Sequence, residues 1–453
     1  MTAAAHTAFA TAQETHFARL CDALFNALAP GEALAANLAA EDSLFLRFNA
    51  GRLRQNTEVQ QATLGFVLQA GGRSVDRACT LSGRPERDLP AVLALLREAR
   101  ADAALLLPDP YQVALRDEGH SHALFDGQLP SAEQALQAVA EQASALDLAG
   151  LYAGGSVLRG HRSSCGSTHW FGTRSFFLDY SLYEGQRAAK GVHAGTAWDP
   201  AAWSAHLAHT AAQLALLRRP AQRVAPGAWR TWLAPQAFAE FVGMLGWQGL
   251  SADVWKQGRS PLRRLIEGER QLSPLLRVDE NFGLGLAPRF NSRGETSVER
   301  LPLLGDGRLQ NLLVSARTAR EHGLQSNGAD GRESPRALDI APGALAQDQV
   351  LQALGTGLYV ANLHYLNWSD PASARVTGMT RYACFWVQDG EIAGPLAADL
   401  RWDQSLYEAL GPQQLLALSR ETAIAPATST YSQRALGGMR APGALVEDFR
   451  YTL

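Results

Sequence analysis

Eleven histidines and four cysteines are the residues of this chain best suited to metal or nucleophilic chemistry. A zinc-peptidase helix needs two imidazoles about one turn apart and a glutamate beside the first, so that a metal-bound water meets a base. None of the histidines, at positions 6, 16, 120, 122, 161, 169, 193, 206, 209, 322 and 364, is followed by glutamate. His206 and His209 lie three apart on an expected helix, a spacing that could turn both to one face. His120 and His122 fall in the polar stretch EGHSH, expected as a loop. Cys165 and His169 are four apart in a Gly/Ser-rich hairpin. They would form a thiol–imidazole pair only if helical, and a catalytic cysteine needs a partner that lowers its pKa. Cys21, Cys79, Cys165 and Cys384 show no CxxC spacing, so they make neither a zinc ribbon nor a disulfide framework. They are expected as buried small hydrophobes. The adjacent acids Asp279 and Glu280 are expected in a solvated loop.

Nucleotide chemistry is equally poorly served. The chain has no GxxxxGK[ST] and no GxSxG. GLGLAP (283–288) and GTGLYV (355–360) lack the third glycine of a dinucleotide fingerprint, and the second is expected to follow a helix rather than a strand.

Composition narrows the classes further. The 453 residues carry a formal charge of −3, are 46% hydrophobic and only 19% charged, below the roughly 25% of average soluble domains. Of 41 basic residues only Lys190 and Lys256 are lysines, and no basic run occurs. That argues against nucleic acid or anionic lipid as partner and against disorder. The segment MTAAAHTAFATAQETHFARL lacks a basic n-region and an apolar h-region. No stretch reaches the roughly 18 apolar residues of a membrane span. The expectation is a soluble, cytoplasmic protein.

The elements that must position any site follow from periodicity. Phe9, Phe17, Leu20, Leu24 and Phe25 recur at helical spacing until Pro30-Gly31. Leu44, Leu46 and Phe48 alternate, and ATLGFVLQA (62–70) and SVDRACTLS (74–82) flank Gly71-Gly72, a meander with a tight turn. One helix is expected to open at Asp88 and another at Ser131, where Gln134 completes a capping box. Segments 148–160, 167–183 and 187–196 are strand-like. Pro200 opens a helix to about Leu217. RRPAQRVAPG (218–227) separates residues 1–219 from residues 220–453. Beyond it come a strand (229–234), a helix with Phe238, Phe241, Val242 and Leu245 on one face, and hairpins at Asp306-Gly307 and Asp389-Gly390. GRESPRALDIAPG (331–343) is expected as a loop. The fold class is α+β: an N-terminal mixed domain with a β-meander and helices, then a strand-rich C-terminal domain with peripheral helices.

An ordered set of segments adds a family. PRFNSRGETSVERLPLLGDGRLQNLLVSARTARE (288–321), GLYVANLHYLNWSDPASARVTGMTRYACFWVQDGEIAGPL (357–396) and GGMRAPGALVEDFRYT (437–452) resemble the TldD/PmbA family, metallopeptidase-related proteins also called modulators of DNA gyrase. The resemblance spans most of the chain, and YLNWSD departs from the Gly-rich stretch of standard members. TldD-type subunits hold zinc with an HExxxH helix and a late cysteine; PmbA- or TldE-type subunits lack these ligands and pair with the TldD type. Here the motif positions fall on Ala239, Glu240 and Met244, and no cysteine follows Cys384. Alanine offers zinc no donor and a thioether is a poor one. Glu240 is then expected as a helix-surface charge or cap partner.

The resemblance implies a non-catalytic, TldE-like subunit without a cofactor of its own, zinc being held by a TldD-like partner, and acting on extended peptides. Segments 357–366 and 379–388 are candidate edge or groove strands, with Tyr359, Asn362, Tyr365, Arg381 and Cys384 as candidate peptide contacts. Two other readings stand beside it: a self-sufficient hydrolase using Cys165, His169 or the His206/His209 pair, and a homodimeric peptide-binding protein.

Overall fold

The computed structural model describes residues 3–452. It is an α+β structure built on two open sheets. The first sheet uses residues 32–195 in the order 73–81, 52–70, 32–49, 147–163, 168–184, with His120–Phe125 and Arg187–Gly195 both pairing on the far side of Thr168–Glu184. Two of its strands, Glu32–Asn49 and Arg52–Ala70, run for 18 and 19 residues. The alternating Leu44, Leu46 and Phe48 are therefore one end of a much longer strand. Gly71 and Gly72 both have positive φ, as a two-residue turn of this hand requires.

Helices Ala3–Asn26 and Pro85–Ala103 cover one end of this sheet, burying Phe17, Leu20 and Leu24 against Leu34, Leu38, Leu64 and Leu68. The second helix begins at Pro85, three residues before the expected start. Asp88 lies in its first turn and accepts hydrogen bonds from the Ser82 and Gly83 amides. Ser131 and Gln134 form the capping box, and Asp199 caps the helix that Pro200 opens.

The second sheet has thirteen strands from residues 227–451. Its long strand Gly438–Tyr451 pairs with Gly227–Leu233, Ala337–Ile340, Arg401–Ser405 and Leu415–Pro426. Asp306-Gly307 and Asp389-Gly390 both turn with positive φ at each residue, the geometry expected of a type I′ hairpin.

Three local expectations are corrected. Ala337–Ile340, inside the stretch expected as a loop, is a fully buried strand between Val278–Asn281 and Gly438–Tyr451. His120–Phe125 is a strand, parallel to Thr168–Thr173, rather than a polar loop. Asp279 and Glu280 also lie on a strand, where Glu280 is buried and pairs with Arg336. The three segments owe their state to partners far away in the chain.

The sheets share a core. Leu46, Phe48, Tyr152 and Tyr180 of the first pack with Trp203 and Leu207 of helix Pro200–Leu216 and with Trp232, Tyr359 and Phe385 of the second. On the opposite face of the first sheet, two loops of the second unit dock. Ser292 accepts from the Asn37 amide, and Arg434, almost wholly buried, donates to the Gly155 and Ser175 carbonyls while its own amide donates to Glu41.

Candidate functional site

The helix that would carry a metal motif runs Pro235–Gly243. Its period places Ala237, Phe238, Phe241 and Val242 in the second unit's core. Ala239 and Met244 are 2% and 4% exposed and belong to the same apolar cluster. Neither position presents a nitrogen, oxygen or thiolate. The stretch near Thr428–Tyr431, where a late cysteine would stand, contains none either. Among the described residues, no group of three or more His, Cys, Asp or Glu side chains stands together as metal ligands would. The donor set does not fit the zinc of the family motif.

Glu240 is not the surface charge expected. It is largely buried, and its Oε2 accepts the Leu363 amide at 2.9 Å. Burial pushes its carboxyl up to about 7, partly offset by that amide and by the charge of Lys190. The helix thus presents its one acid to the backbone of a strand instead of to a metal-bound water.

That strand, Asn362–Asp370, pairs among the described residues only with Arg375–Arg381 and so forms an edge of the sheet. It carries a bulge: His364 faces Met379, Asn367 faces Thr377, and Tyr365 and Leu366 oppose the single Gly378. Tyr365 adopts φ 56° and is 77% exposed. A non-glycine residue in this region stores strain, and a bulge re-aims side chains. Around it, His364 Nδ1 accepts from Arg381 Nη1 at 3.0 Å, and Trp368 Nε1 donates to the Trp247 carbonyl at 3.2 Å. His364 Nε2 is buried without a hydrogen-bond partner among the described residues. Partial burial and the Arg381 charge lower the His364 pKa, and burial raises that of the neighbouring Asp399.

The five candidate groove residues separate. Tyr365 is exposed and Arg381 half-buried beside it. Asn362 is buried at the start of the edge strand. Tyr359 and Cys384 are core residues: the Tyr359 hydroxyl accepts from Gln213, and the Cys384 thiol, pushed up to about 11 by burial, donates to the Arg381 carbonyl. Segment 357–366 breaks at Ala361, since Gly357–Val360 lies inside the sheet between Gly227–Leu233 and Phe385–Gln388. Segment 379–388 breaks at Tyr382, which has φ 63°, into two interior strands. Of these segments only residues 362–366, the start of the strand Asn362–Asp370, lie on an edge. Sequence reasoning missed the pairing of Trp368 with Trp247 and the placement of His364 beside Arg381 and Asp399, which arise only through the fold.

The other candidate pairs do not assemble. Cys165 donates to the Leu115 carbonyl, whereas His169 Nδ1 bonds Ser121 and its ring stacks on Phe290. His206 Nδ1 meets the Tyr180 hydroxyl, and burial lowers its pKa to about 4.

This architecture defines a class of α+β proteins built on two open sheets. The family model described as the PmbA/TldA metallopeptidase C-terminal domain matches residues 226–452. The chain belongs to the PmbA/TldD family. Metalloprotease PmbA of Escherichia coli O157:H7 is 32% identical over 191 residues, which span 40% of this chain and 40% of that protein. TldE from Thermococcus kodakarensis superposes with a TM-score of 0.76 at 15% identity, over 98% of this chain and 100% of that one. A Thermotoga maritima protein, a candidate modulator of a DNA gyrase, superposes with a TM-score of 0.76 at 16% identity, over 96% of this chain and 100% of that one. These two likenesses are of fold.

Proposed function

We propose that this chain is a TldE-like, non-catalytic subunit that supports peptide cleavage by a zinc-bearing TldD-like partner in the cytoplasm. The observation that carries the reading is the fate of Glu240. Its neighbours Ala239 and Met244 are packed into the core, and its carboxyl is committed to the Leu363 amide. A glutamate so placed has no metal-bound water to act on. The residues it holds instead belong to an edge strand, and an edge offers a peptide backbone hydrogen bonds with little sequence demand. Residues 366–370, past the bulge, are where an extended peptide would add. The zinc, in this reading, is the partner's alone. Residues 1–219 and 220–453 form the two units of the subunit.

The test is co-expression with a TldD-type chain that carries HExxxH. A stable complex whose peptidase activity exceeds that of the partner alone supports the reading. Failure to associate at micromolar concentration, with unchanged peptidase activity, overturns it. A homodimer that binds peptide without any partner would favour the peptide-binding alternative.

A further inference from the structure

The face of the first sheet that bears Glu41 and Asn37 is covered by the loops around Arg434 and Ser292 along half its length. Beyond them it opens into a cavity of about 1020 Å³, rimmed by Thr430 of the same loop as Arg434. Strand register builds its floor. Gln55, Arg47, Leu151 and Asp179 lie side by side across four strands, and Ala149, Ser181 and Lys190 form the next row. The pairing of Glu32–Asn49 with Arg52–Ala70 slips between Arg47 and Phe48, leaving Arg54 as the extra residue of a bulge. Arg54 and Arg47 both line the cavity, as a bulge that re-aims a side chain allows.

The charges there are unequal. Lys190 is paired with Asp179. Arg47 and Arg54 are both exposed to solvent at the cavity and have no acidic or carbonyl partner among the described residues. Two free guanidiniums in one concave site are a receptor for an anion, and their planar forks match a carboxylate. Asn49, Thr57 and Ser181 add side-chain groups able to hydrogen-bond a peptide backbone. Nucleic acid fits less well, because two arginines on a chain of net charge −3 make no phosphate-tracking stripe.

We propose that this cavity binds a carboxylate of an extended peptide through Arg47 and Arg54, so that the subunit selects acidic or C-terminal segments. That the ligand is a peptide rests on the function proposed above; the anion preference rests on the cavity itself.

The test uses the full chain and labelled unstructured decapeptides at about 0.1 M salt, the regime in which exposed charge pairs are partly screened. Three peptides are compared: an Asp/Glu-rich one, its Asn/Gln isostere, and the acidic one with an amidated C-terminus. The acidic peptide is expected to bind at least tenfold more tightly than the isostere where side-chain carboxylates are read, or at least tenfold more tightly than its amidated form where the terminus is read. The Arg47→Gln/Arg54→Gln double variant is expected to lose that preference while keeping its melting temperature. Arg47→Lys/Arg54→Lys, which keeps charge but not the fork, should fall between. Loss of binding on amidation alone assigns the terminal carboxylate; its survival assigns side-chain carboxylates. Equal binding of all three peptides, or an unchanged preference in the double glutamine variant, overturns the proposal. Pairing of the same variants with the TldD-type chain is read separately. An acid preference without any partner sinks the assembly and leaves the cavity; a partner without the preference does the reverse.

Discussion

Glu240 is ionised at neutral pH only against its surroundings. Its carboxyl titrates near 7 in the fold and near 4.3 in an unfolded chain. The folded state therefore binds the proton more tightly, and stability falls as pH rises from about 4 to about 7, with the full cost present above that window. Glu240→Gln keeps an acceptor for the Leu363 amide but removes the titration. It is expected to raise stability at pH 8 by on the order of 1–3 kcal/mol and to leave it nearly unchanged at pH 4. Denaturant melts at the two pH values check this; an equal effect at both would mean that Glu240 does not titrate in this window. That Ala239 and Met244 offer a metal no nitrogen, oxygen or thiolate donor is readable from the sequence itself. The burial of Glu240 is not, because its partner Leu363 lies 123 residues away. The same distance effect hid the pairing of His364 with Arg381 and of Trp368 with Trp247, whose positive-φ neighbours Tyr365, Tyr382 and Gln248 are not glycines and gave no turn signal.

Elements were readable where local chemistry decides them. The turns at Gly71-Gly72, Asp306-Gly307 and Asp389-Gly390, the capping box at Ser131 and the proline at position 200 each act within a few residues. Ala337–Ile340 was not readable. It is four residues long, bounded by Pro335 and Pro342, and buried on both faces, so neither alternation nor length marks it. The loop 288–297 shows how tertiary contact fixes an irregular element. Phe290 packs on the rings of His161 and His169, and Gly294, at φ 87°, lies against His161 so closely that a Cβ would come within 2.5 Å of Nε2. His161 is held neutral, its pKa lowered to about 3, first by burial and then by the charges of His169 and Arg293. Gly294→Ala meets both the steric block and the left-handed backbone. It is expected to cost about 2–4 kcal/mol, the range of strain combined with overpacking. Equilibrium urea unfolding measures it, and a loss below about 0.5 kcal/mol, the scatter of neutral surface changes, would show that the loop does not seal this face.

At the scale of the whole molecule, the two sheets are separate in pairing yet joined in packing. The composition break at 218–227 is visible in the sequence, and sheet membership changes across it, from strands ending at Gly195 to strands starting at Gly227. What the break conceals is the shared core, because Trp203, Tyr152 and Tyr180 look like ordinary interior residues of the first unit until Trp232, Tyr359 and Phe385 are seen against them. Arg434 reinforces the joint from the other face. Its buried guanidinium answers the Gly155 and Ser175 carbonyls, and Glu41 takes its amide; partners of this kind are costly to leave buried and alone. A fragment ending at residue 219 would expose the apolar face that the second unit covers and leave Glu41 with Ser43 and Gln61 as donors but without the Arg434 amide. Such a face is an aggregation hazard. The intact chain is therefore expected to melt in one cooperative transition, and residues 1–219 alone to bind a hydrophobic dye, self-associate and unfold without a sharp transition. Differential scanning calorimetry and light scattering on both forms decide it. A monomeric 1–219 fragment with a steep melt of its own would mean that the shared core is an accessory to two independently folding domains rather than the joint that makes them one body.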